Sequence, residues 1–213
     1  FEKERTSRMM IGILSQVVEK RNGESRAHVQ RVSQLTSMLL AGLVQKTDRY
    51  PLTRETRRTI ATAAALHDIG KMEISESLLH KEGPLTEAER RTVQSHTLLG
   101  AKMLEEQPEC QNDAFARTAC NICRWHHERY DGSGYPDGLQ GEQIPIEAQV
   151  VGLADVYERL VSRPVDGHAR TQREAMQMIC TGVCGGFNPL LLECLQDMEA
   201  EIEAAMKSKP KEP

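Results

Sequence analysis

Histidine and carboxylate side chains stand beside one another at several points of this 213-residue chain, which contains seven histidines. His67 directly precedes Asp68, and His126 directly precedes His127 within the stretch WHHERYDGSGYPDG. Any one of these histidines, taken alone, is more often a hydrogen-bonded core residue than a metal ligand. The pairing is what indicates chemistry, because neighbouring imidazoles and carboxylates can bind a shared cation.

Four further residues have the same character. Glu24 precedes His28 by four residues, a spacing that brings the two side chains onto one face of a helix. His96 is expected in the middle of a helix, and Asp155 lies in an otherwise apolar helical segment, where an unpaired carboxylate would be costly. One cluster of cations would satisfy all of these groups together. Without cations, each group would need its own hydrogen-bond partner.

The ligand types indicate which ions and which reaction to expect. Nitrogen and carboxylate ligands without thiolate suit iron, manganese, nickel or zinc, and not calcium or a structural zinc finger. Adjacent residues of a helix point about 100° apart, so His126 and His127 can face two different ions. A carboxylate such as Asp68 can bridge two ions at about 3.5–4 Å, and such a pair produces hydroxide at neutral pH. The expected chemistry is hydrolysis of a phosphoester.

The elements that must position these residues are helices. Apolar residues recur with helical periodicity nearly throughout, and the sequence predicts a single all-α domain. The segment 128–145 is rich in glycine and contains two prolines, so it is predicted as a loop. The predicted helices cover residues 3–20, 24–45, 54–70 after the cap Thr53, a segment from the capping box at Thr86 through His96 to Met103, and 112–127, 147–161, 172–181 and 189–207.

The first predicted helix carries an apolar stripe with two interpretations. The stripe can belong to the core of the domain, or it can form a two-stranded connector to an upstream domain. Periodicity alone favours neither interpretation. The stripe consists of Met9, Met10, Ile13, Leu14, Val17 and Val18.

Composition argues against several classes of protein. A formal net charge of −4 and an aromatic content of 4% argue against binding to DNA or RNA polymers. No apolar run reaches the length of a membrane span and no signal-peptide pattern occurs, so no direct membrane contact is expected. Cys120-x-x-Cys123 lacks a second metal-binding pair at usable spacing, and the six cysteines are interpreted as reduced, buried helix residues.

Two segments, HDIGK at residues 67–71 and HHERYDGSGYPDGLQGEQIP at residues 126–145, resemble the HD-GYP family. Members of this family are metal-dependent, all-helical phosphodiesterases of bacterial cyclic di-GMP signalling. The resemblance extends from Glu24 to Pro189 in matching order and spacing. HDxGK alone is shared with the wider HD hydrolases, some of which act on dNTPs or ppGpp, whereas the GYP segment favours the narrower family.

The resemblance implies a function and a set of metal ligands. The function is hydrolysis of cyclic di-GMP to linear pGpG, with further cleavage to GMP as an option, by a metal-bridging hydroxide. The cofactors are two or three divalent ions, foremost iron or manganese, with nickel, zinc or magnesium as alternatives. Glu24 matches the extra carboxylate of relatives that hold a third ion. The implied ligands are Glu24, His28, His67, Asp68, His96, His126, His127 and Asp155.

The resemblance also assigns residues to the substrate. Lys71 would stabilise the attacked phosphate or aid proton transfer. Gly132 and Gly134 would let the backbone approach the ligand, and Tyr135 would contact the nucleotide. Arg163 matches an arginine that grips a phosphate group.

The chain departs from the family pattern near the phosphate side. The family usually carries DxFDALTSxRPYR, whereas this chain has DVYERLVSRPVDGH from Asp155, with Glu158 in place of an Asp. None of the departures is expected to touch a metal ligand, but Asp166 would repel a phosphate. The alternatives are therefore a metal-loaded sensor module with little or no activity, or a phosphodiesterase for another cyclic dinucleotide such as cyclic GMP-AMP.

The expected organisation has three parts. Residues 1–20 form an N-terminal helix, residues 21–207 form the HD-GYP catalytic domain, and residues 208–213 form a tail. Because the sequence opens on Phe1 instead of Met, an upstream sensor or regulatory domain is expected in a longer protein. A homodimer through the N-terminal helix and a cytoplasmic location are also expected, with membrane anchoring through an upstream region as an option.

Overall fold

The structure is a computed structural model that describes residues 2–22, 26–107, 113–162 and 170–207. These residues contain no β-strand, which confirms the predicted all-α class. The helices are α1 (Glu2–Asn22), α2 (Arg26–Lys46), α3 (Arg54–Ala63), α4 (Glu76–Leu79), α5 (Glu87–Gln94), α6 (His96–Glu105), α7 (Ala114–Trp125), α8 (Ile146–Ser162), α9 (Gln172–Cys180), α10 (Pro189–Asp197) and α11 (Glu199–Lys207).

The centre of the fold is the pair α2 and α8. Helix α2 faces the core with an apolar stripe, in which Val32, Leu39 and Leu43 are fully inaccessible. Helix α8 is buried on nearly all sides, and most of its buried residues are apolar. Helices α3, α10 and α11 pack against α2, while α7 and α9 pack against α8. The one strongly polar patch on α8, Asp155 and Glu158, is also buried.

The third helix ends earlier than predicted. Helix α3 stops at Ala63 instead of Gly70, and two 3-10 turns follow, Ala64–Leu66 and Ile69–Glu73. The capping at Thr53 is confirmed, because its side chain accepts a hydrogen bond from the amide of Thr56. The early break places His67 and Asp68 at a bend between the two turns. From this bend, both side chains point toward the other histidines and acids.

The helix predicted to begin at Thr86 is divided in two. Its capping box is present as predicted, formed by Thr86 and Glu89. The helix bends at Ser95, whose hydroxyl donates to the Thr92 carbonyl oxygen at 2.7 Å and so competes with regular helical bonding. His96 is therefore the first residue of α6, and the expectation that it lies mid-helix is wrong. The helix predicted over residues 189–207 divides in a similar way at Met198.

Helix α1 has an inner and an outer face. Ser15 and Val18 are buried against the domain, and the Ser15 hydroxyl donates to the Ala65 carbonyl oxygen at 2.9 Å. The other stripe residues are not core, because more than half of each side chain is accessible: Met9, Met10, Ile13, Leu14 and Val17. Within the described parts of the chain, no helix has the length and hydropathy of a membrane span.

The expectation that the cysteines are buried is met in part: Cys123 and Cys194 are buried, and Cys120, Cys180 and Cys184 are half-buried. Cys120 and Cys123 are free thiols, and their sulfur atoms have different partners: Cys120 contacts the Glu105 carboxylate at 3.3 Å, and Cys123 contacts the Leu66 carbonyl oxygen at 3.2 Å. Burial and the neighbouring Glu105 raise the pKa of Cys120 to about 12, so its thiol stays protonated. Cys110 lies outside the described residues.

Candidate metal centre

Seven of the eight predicted metal ligands come together in two adjacent groups. Within each group, the nitrogen and oxygen atoms that could bind a metal lie within 4.8 Å of one another. Glu24 lies outside the described residues. One group consists of Asp68, His96, His126 and His127, and the other consists of His28, His67 and Asp155.

Asp68 joins the two groups. Its Oδ1 lies 3.2 Å from His96 Nε2, in the first group, while its Oδ2 lies 3.4 Å from His67 Nε2, in the second. His67 Nε2 also lies 3.7 Å from Asp155 Oδ1. One carboxylate thus offers an oxygen to each group, which is the arrangement required to bridge two cations.

Three histidines are oriented by the backbone. The Nδ1 atoms of His67, His96 and His126 each lie against a carbonyl oxygen of the preceding turn, at 2.8, 2.7 and 2.9 Å respectively. A carbonyl oxygen can only accept, so Nδ1 carries the proton and the lone pair of the neutral ring is on Nε2. All three Nε2 lone pairs are therefore directed into the centre, as in metal-binding histidines.

The buried atoms facing the centre fit a metal ion. In the described part of the chain, four of them have no hydrogen-bond partner: Nε2 of His67, His96 and His126, and Oδ1 of Asp68. Buried polar atoms without a partner are rare, because each one costs free energy relative to its hydrated state. Divalent cations at the two groups would satisfy all four atoms, and nitrogen with carboxylate oxygen is a suitable donor set for them.

The protonation states of His126, His127 and the two aspartates suit metal binding. Burial, together with the neighbouring His67, lowers the pKa of His126 to about 3, and burial holds the pKa of His127 well below its usual value. Burial opposes ionisation of Asp68 and Asp155, but nearby cations, above all Lys71 and Arg159 respectively, hold both pKa values well below the usual range. Neutral imidazoles and ionised carboxylates are the forms that bind metals. The neighbouring acids, in contrast, raise the pKa of His28 and His67 against the effect of burial, so those two rings must release a proton when a metal binds.

His28 is oriented by a buried carboxylate that the sequence interpretation missed. His28 Nδ1 hydrogen-bonds the carboxylate of Glu158, while its Nε2 lies 3.4 Å from Asp155 Oδ1. Glu158 is 1% exposed and accepts further bonds from Arg31 at 2.7 Å and Ser162 at 2.6 Å. The expectation that the departure at position 158 touches no metal ligand is therefore wrong. A carboxylate behind a ligand histidine fixes the ring and increases its basicity.

We expect Glu158→Gln to weaken metal binding by about 10-fold to 100-fold, the usual effect of removing a partner that orients a ligand histidine. The neutral amide can no longer hold the Nδ1 proton of His28 as strongly, so Nε2 becomes a poorer donor. Calorimetric titration of metal-free protein with Mn²⁺ measures the effect. Glu106→Gln serves as control, because the Glu106 side chain is 61% exposed. Equal affinities in the two variants would contradict this role of Glu158.

Two glycines let the backbone segments that carry the ligands approach closely. A Cβ atom at Gly70 would lie 1.9 Å from the carbonyl oxygen of His96, and a Cβ atom at Gly152 would lie 2.3 Å from that of His126. Any side chain at either position would collide with backbone. Gly70 thereby allows the turn after Asp68 to pack on α6, and Gly152 allows α8 to pack on the end of α7.

Glu128 stabilises the loop of residues 128–145 that contains the GYP segment. This carboxylate is 5% exposed and accepts hydrogen bonds from three consecutive amides, those of Asp137 at 2.7 Å, Gly138 at 3.0 Å and Leu139 at 3.1 Å. A carboxylate that satisfies three backbone donors stabilises a loop conformation strongly. The sequence interpretation did not single out Glu128, although its position directly after the paired histidines was an available signal.

We expect Glu128→Gln to lower the free energy of unfolding by about 1–3 kcal/mol, because buried amides lose a charged acceptor. Urea unfolding measures this difference, and amide hydrogen exchange at residues 137–139 is expected to accelerate. Glu87→Gln, at a side chain that is 70% exposed, should leave both properties unchanged. Unaltered exchange at residues 137–139 in Glu128→Gln would contradict the role of this carboxylate.

The predicted substrate residues of the loop lie beside the centre. The rings of Tyr135 and His127 are stacked, with centroids 4.7 Å apart, and the Tyr135 amide donates to the His127 carbonyl oxygen at 3.3 Å. Gly132 has a positive φ of 81°, and a Cβ atom at Gly134 would lie 2.4 Å from the Glu128 Cα. Both glycines are thus required by the packing of the loop on itself, and their contact with substrate stays a prediction.

Two cations lie against the acids of the centre. Lys71 Nζ is 2.6 Å from Asp68 Oδ2, as its place in HDIGK suggested. Arg159, which the sequence interpretation missed, lies 2.7 Å from Asp155 and 2.9 Å from Asp68. Arg163, the predicted phosphate-gripping residue, lies outside the described residues.

Comparison with known proteins gives the same assignment as the motifs. A family model described as the HD domain matches residues 8–183. The cyclic di-GMP phosphodiesterase response regulator RpfG of Xanthomonas campestris pv. campestris is 36% identical over 95% of this chain and 50% of its own length. The 3'3'-cGAMP-specific phosphodiesterase 2 of Vibrio cholerae is 34% identical over 96% of this chain and 37% of its own length.

A solved structure has the same fold. The cyclic GMP-AMP-specific phosphodiesterase V-cGAP3 of Vibrio cholerae superposes with a TM-score of 0.66 at 18% identity, over 95% of this chain and 51% of that one. The chain spans about half or less of the length of the relatives that it matches. The family model covers most of the chain, and the resemblance drawn from HDIGK and the GYP segment is confirmed. The chain therefore belongs to the HD domain family.

Proposed function

We propose that this chain is a metal-dependent phosphodiesterase that opens cyclic di-GMP to linear pGpG, with further cleavage to GMP as an option. The observation that carries the proposal is the pair of ligand groups that share Asp68, whose two oxygens face different histidines. The relative RpfG, 36% identical over 95% of this chain, carries the name of a cyclic di-GMP phosphodiesterase.

The residues of the chain have separate tasks in this reaction. When bound, divalent ions supply Lewis-acid activation of a phosphoryl oxygen and of water. Hydrogen bonds from Nδ1 to backbone carbonyl oxygens fix the orientation of the imidazoles of His67, His96 and His126. These rings therefore reorganise little when a metal binds. Lys71, with its Nζ 2.6 Å from Asp68, provides a buried positive charge that can stabilise an anionic phosphate.

The ions are proposed to be iron or manganese, with nickel, zinc or magnesium as alternatives. Five histidines and two aspartates make up the two ligand groups, and this nitrogen-rich set favours first-row transition metals over magnesium. Two ions match the two groups. Glu24, at the predicted i, i+4 distance from His28, would provide the carboxylate for a third ion.

A second candidate substrate is cyclic GMP-AMP. It is favoured by the relative named 3'3'-cGAMP-specific phosphodiesterase 2, at 34% identity, and by the altered segment that contains Arg163 and Asp166. The test is to incubate the manganese- or iron-loaded protein, under anaerobic conditions, with either cyclic dinucleotide and to identify the products by mass. Faster release of pGpG supports the first proposal, and faster opening of cyclic GMP-AMP supports the second. Tight binding without any cleavage would identify a sensor module and overturn both.

Residues 21–207 are proposed as the catalytic unit, with residues 208–213 as a tail. Residues 1–20 are proposed to connect this unit to an upstream regulatory domain and to mediate a homodimer. The exposed apolar stripe of α1 and the greater length of the relatives support this arrangement. The proposed location is the cytoplasm, where a cyclic dinucleotide messenger would be the partner.

A further inference from the structure

Arg159 joins the two carboxylates of the candidate metal centre. Its Nε lies 2.7 Å from Asp155 Oδ1, and one terminal nitrogen lies 2.9 Å from Asp68 Oδ2. The two acids belong to different ligand groups, so the guanidinium spans the centre. The HD-GYP pattern quoted above carries alanine at this place, so the arginine departs from that pattern.

The oxygen atom that Arg159 contacts most closely is also the one that a metal would need. Asp155 Oδ1 faces the Nε2 atoms of His28 at 3.4 Å and His67 at 3.7 Å, which are the other ligand atoms of its group. A divalent ion held by these three residues would compete with the guanidinium for the same oxygen. It would also place two further positive charges beside a cation in a site of low dielectric, where repulsion is strong.

Arg159 is more exposed to solvent than the two acids that it contacts, so its side chain can move outward. The side chains of Asp68 and Asp155 are 2% and 1% exposed, whereas that of Arg159 is 26% exposed. The arginine thus lies on the solvent side of the acids, the side from which a phosphodiester can approach. A planar guanidinium binds phosphate oxygens with two parallel hydrogen bonds, which Lys71 with its single ammonium group does not offer.

We propose that Arg159 is a displaceable cation that neutralises Asp68 and Asp155 in the metal-free protein. When a divalent ion binds Asp155, the guanidinium moves away from that carboxylate. It then binds a phosphate oxygen of the substrate. The first half concerns metal binding alone. The second half rests on the proposed phosphodiesterase function. The two halves can therefore be tested separately.

The first test is titration of metal-free protein with Mn²⁺, followed by calorimetry and by electron paramagnetic resonance of free Mn²⁺. Arg159→Ala removes the competing cation, and we expect the apparent Kd to fall about 10-fold, equivalent to about 1.4 kcal/mol. Arg159→Lys should give an intermediate value, and Arg91→Ala, at a side chain that is 70% exposed, should match wild type. Unchanged or weaker Mn²⁺ binding by Arg159→Ala would overturn the competition.

The second test is steady-state hydrolysis of cyclic di-GMP at saturating Mn²⁺. We expect Arg159→Ala to raise KM about 10-fold while kcat changes less than about threefold, because an interaction common to ground state and transition state is lost. Arg159→Lys should recover part of the loss in KM. An unchanged KM in Arg159→Ala would overturn the role in substrate binding. If wild type cleaves no cyclic dinucleotide, the proposed function fails, while the Mn²⁺ titration still decides whether Arg159 competes with metal.

Discussion

Replacing His67 by alanine is expected to lower the rate of cyclic di-GMP hydrolysis about 1000-fold or more, a loss of about 4 kcal/mol of transition-state stabilisation. His67 is fully buried, and its Nε2 lies within 3.7 Å of both Asp68 and Asp155. Without this imidazole, the second group loses one of its two nitrogen ligands and keeps His28, Asp155 and the shared oxygen of Asp68, so it would hold an ion less firmly against water. The measurements are the initial rate at saturating substrate and the metal content per chain.

His80 provides the matched control for this substitution. It is an exposed histidine whose Nε2 contacts the carbonyl oxygen of Arg21 at 2.8 Å, outside both ligand groups. His80→Ala should retain the wild-type rate and metal content. If His67→Ala cleaved cyclic di-GMP within about tenfold of the wild-type rate, the assignment of His67 to the reacting centre would be wrong.

Replacing Gly70 by alanine should lower the free energy of unfolding by about 3 kcal/mol or more, at the upper end of overpacking effects. The added methyl group would lie 1.9 Å from the His96 carbonyl oxygen and 2.4 Å from the Gly100 amide nitrogen. Both are backbone atoms, so relief requires the turn Ile69–Glu73 and α6 to separate. Urea unfolding in the presence of a chelator measures the loss without a contribution from metal binding.

Gly12 offers the corresponding control. It lies inside helix α1, and a Cβ atom there would meet no atom within 4 Å. Gly12→Ala should therefore raise stability by about 0.5–1 kcal/mol, because alanine loses less entropy on entering a helix than glycine does. Similar stabilities for Gly70→Ala and Gly12→Ala would contradict the close approach of the turn to α6.

Periodicity predicted the helices that form the core. Helices α2 and α8 were recognisable because burial selects apolar side chains at helical spacing. The clustering of histidines and acids could be predicted for a related reason, since buried polar groups need partners and one shared set of cations can serve several of them at once. The side chains of His67, Asp68 and Asp155 do meet, and their role as ligands stays a prediction.

The breaks in the helices could not be predicted from local sequence. Residues 60–66 are mostly good helix formers, and the chain bends after them because the turn after Asp68 packs on the backbone of α6. Such a contact between distant segments overrides helix propensity. The bend at Ser95 had a weak local signal, a serine that bonds back to the preceding turn.

The residues that support the ligands had a signal in their spacing. Glu158 and Arg159 follow Asp155 by three and four positions, so in a helix all three lie on neighbouring turns of one face. The spacing therefore predicts that the side chains of Glu158 and Arg159 lie beside that of Asp155. The contact of Glu158 with His28 was harder to predict, because it depends on the packing of α2 against α8.

The most direct test of the account is cyclic di-GMP hydrolysis measured as a function of metal loading in anaerobic solution. Metal-free protein should be inactive, and pGpG release should rise as Mn²⁺ or Fe²⁺ is added, reaching a maximum at about two ions per chain, or three with Glu24 included. Cleavage that is undiminished by complete removal of metal, or no cleavage at any loading, would contradict a reaction carried out by metal ions at Asp68.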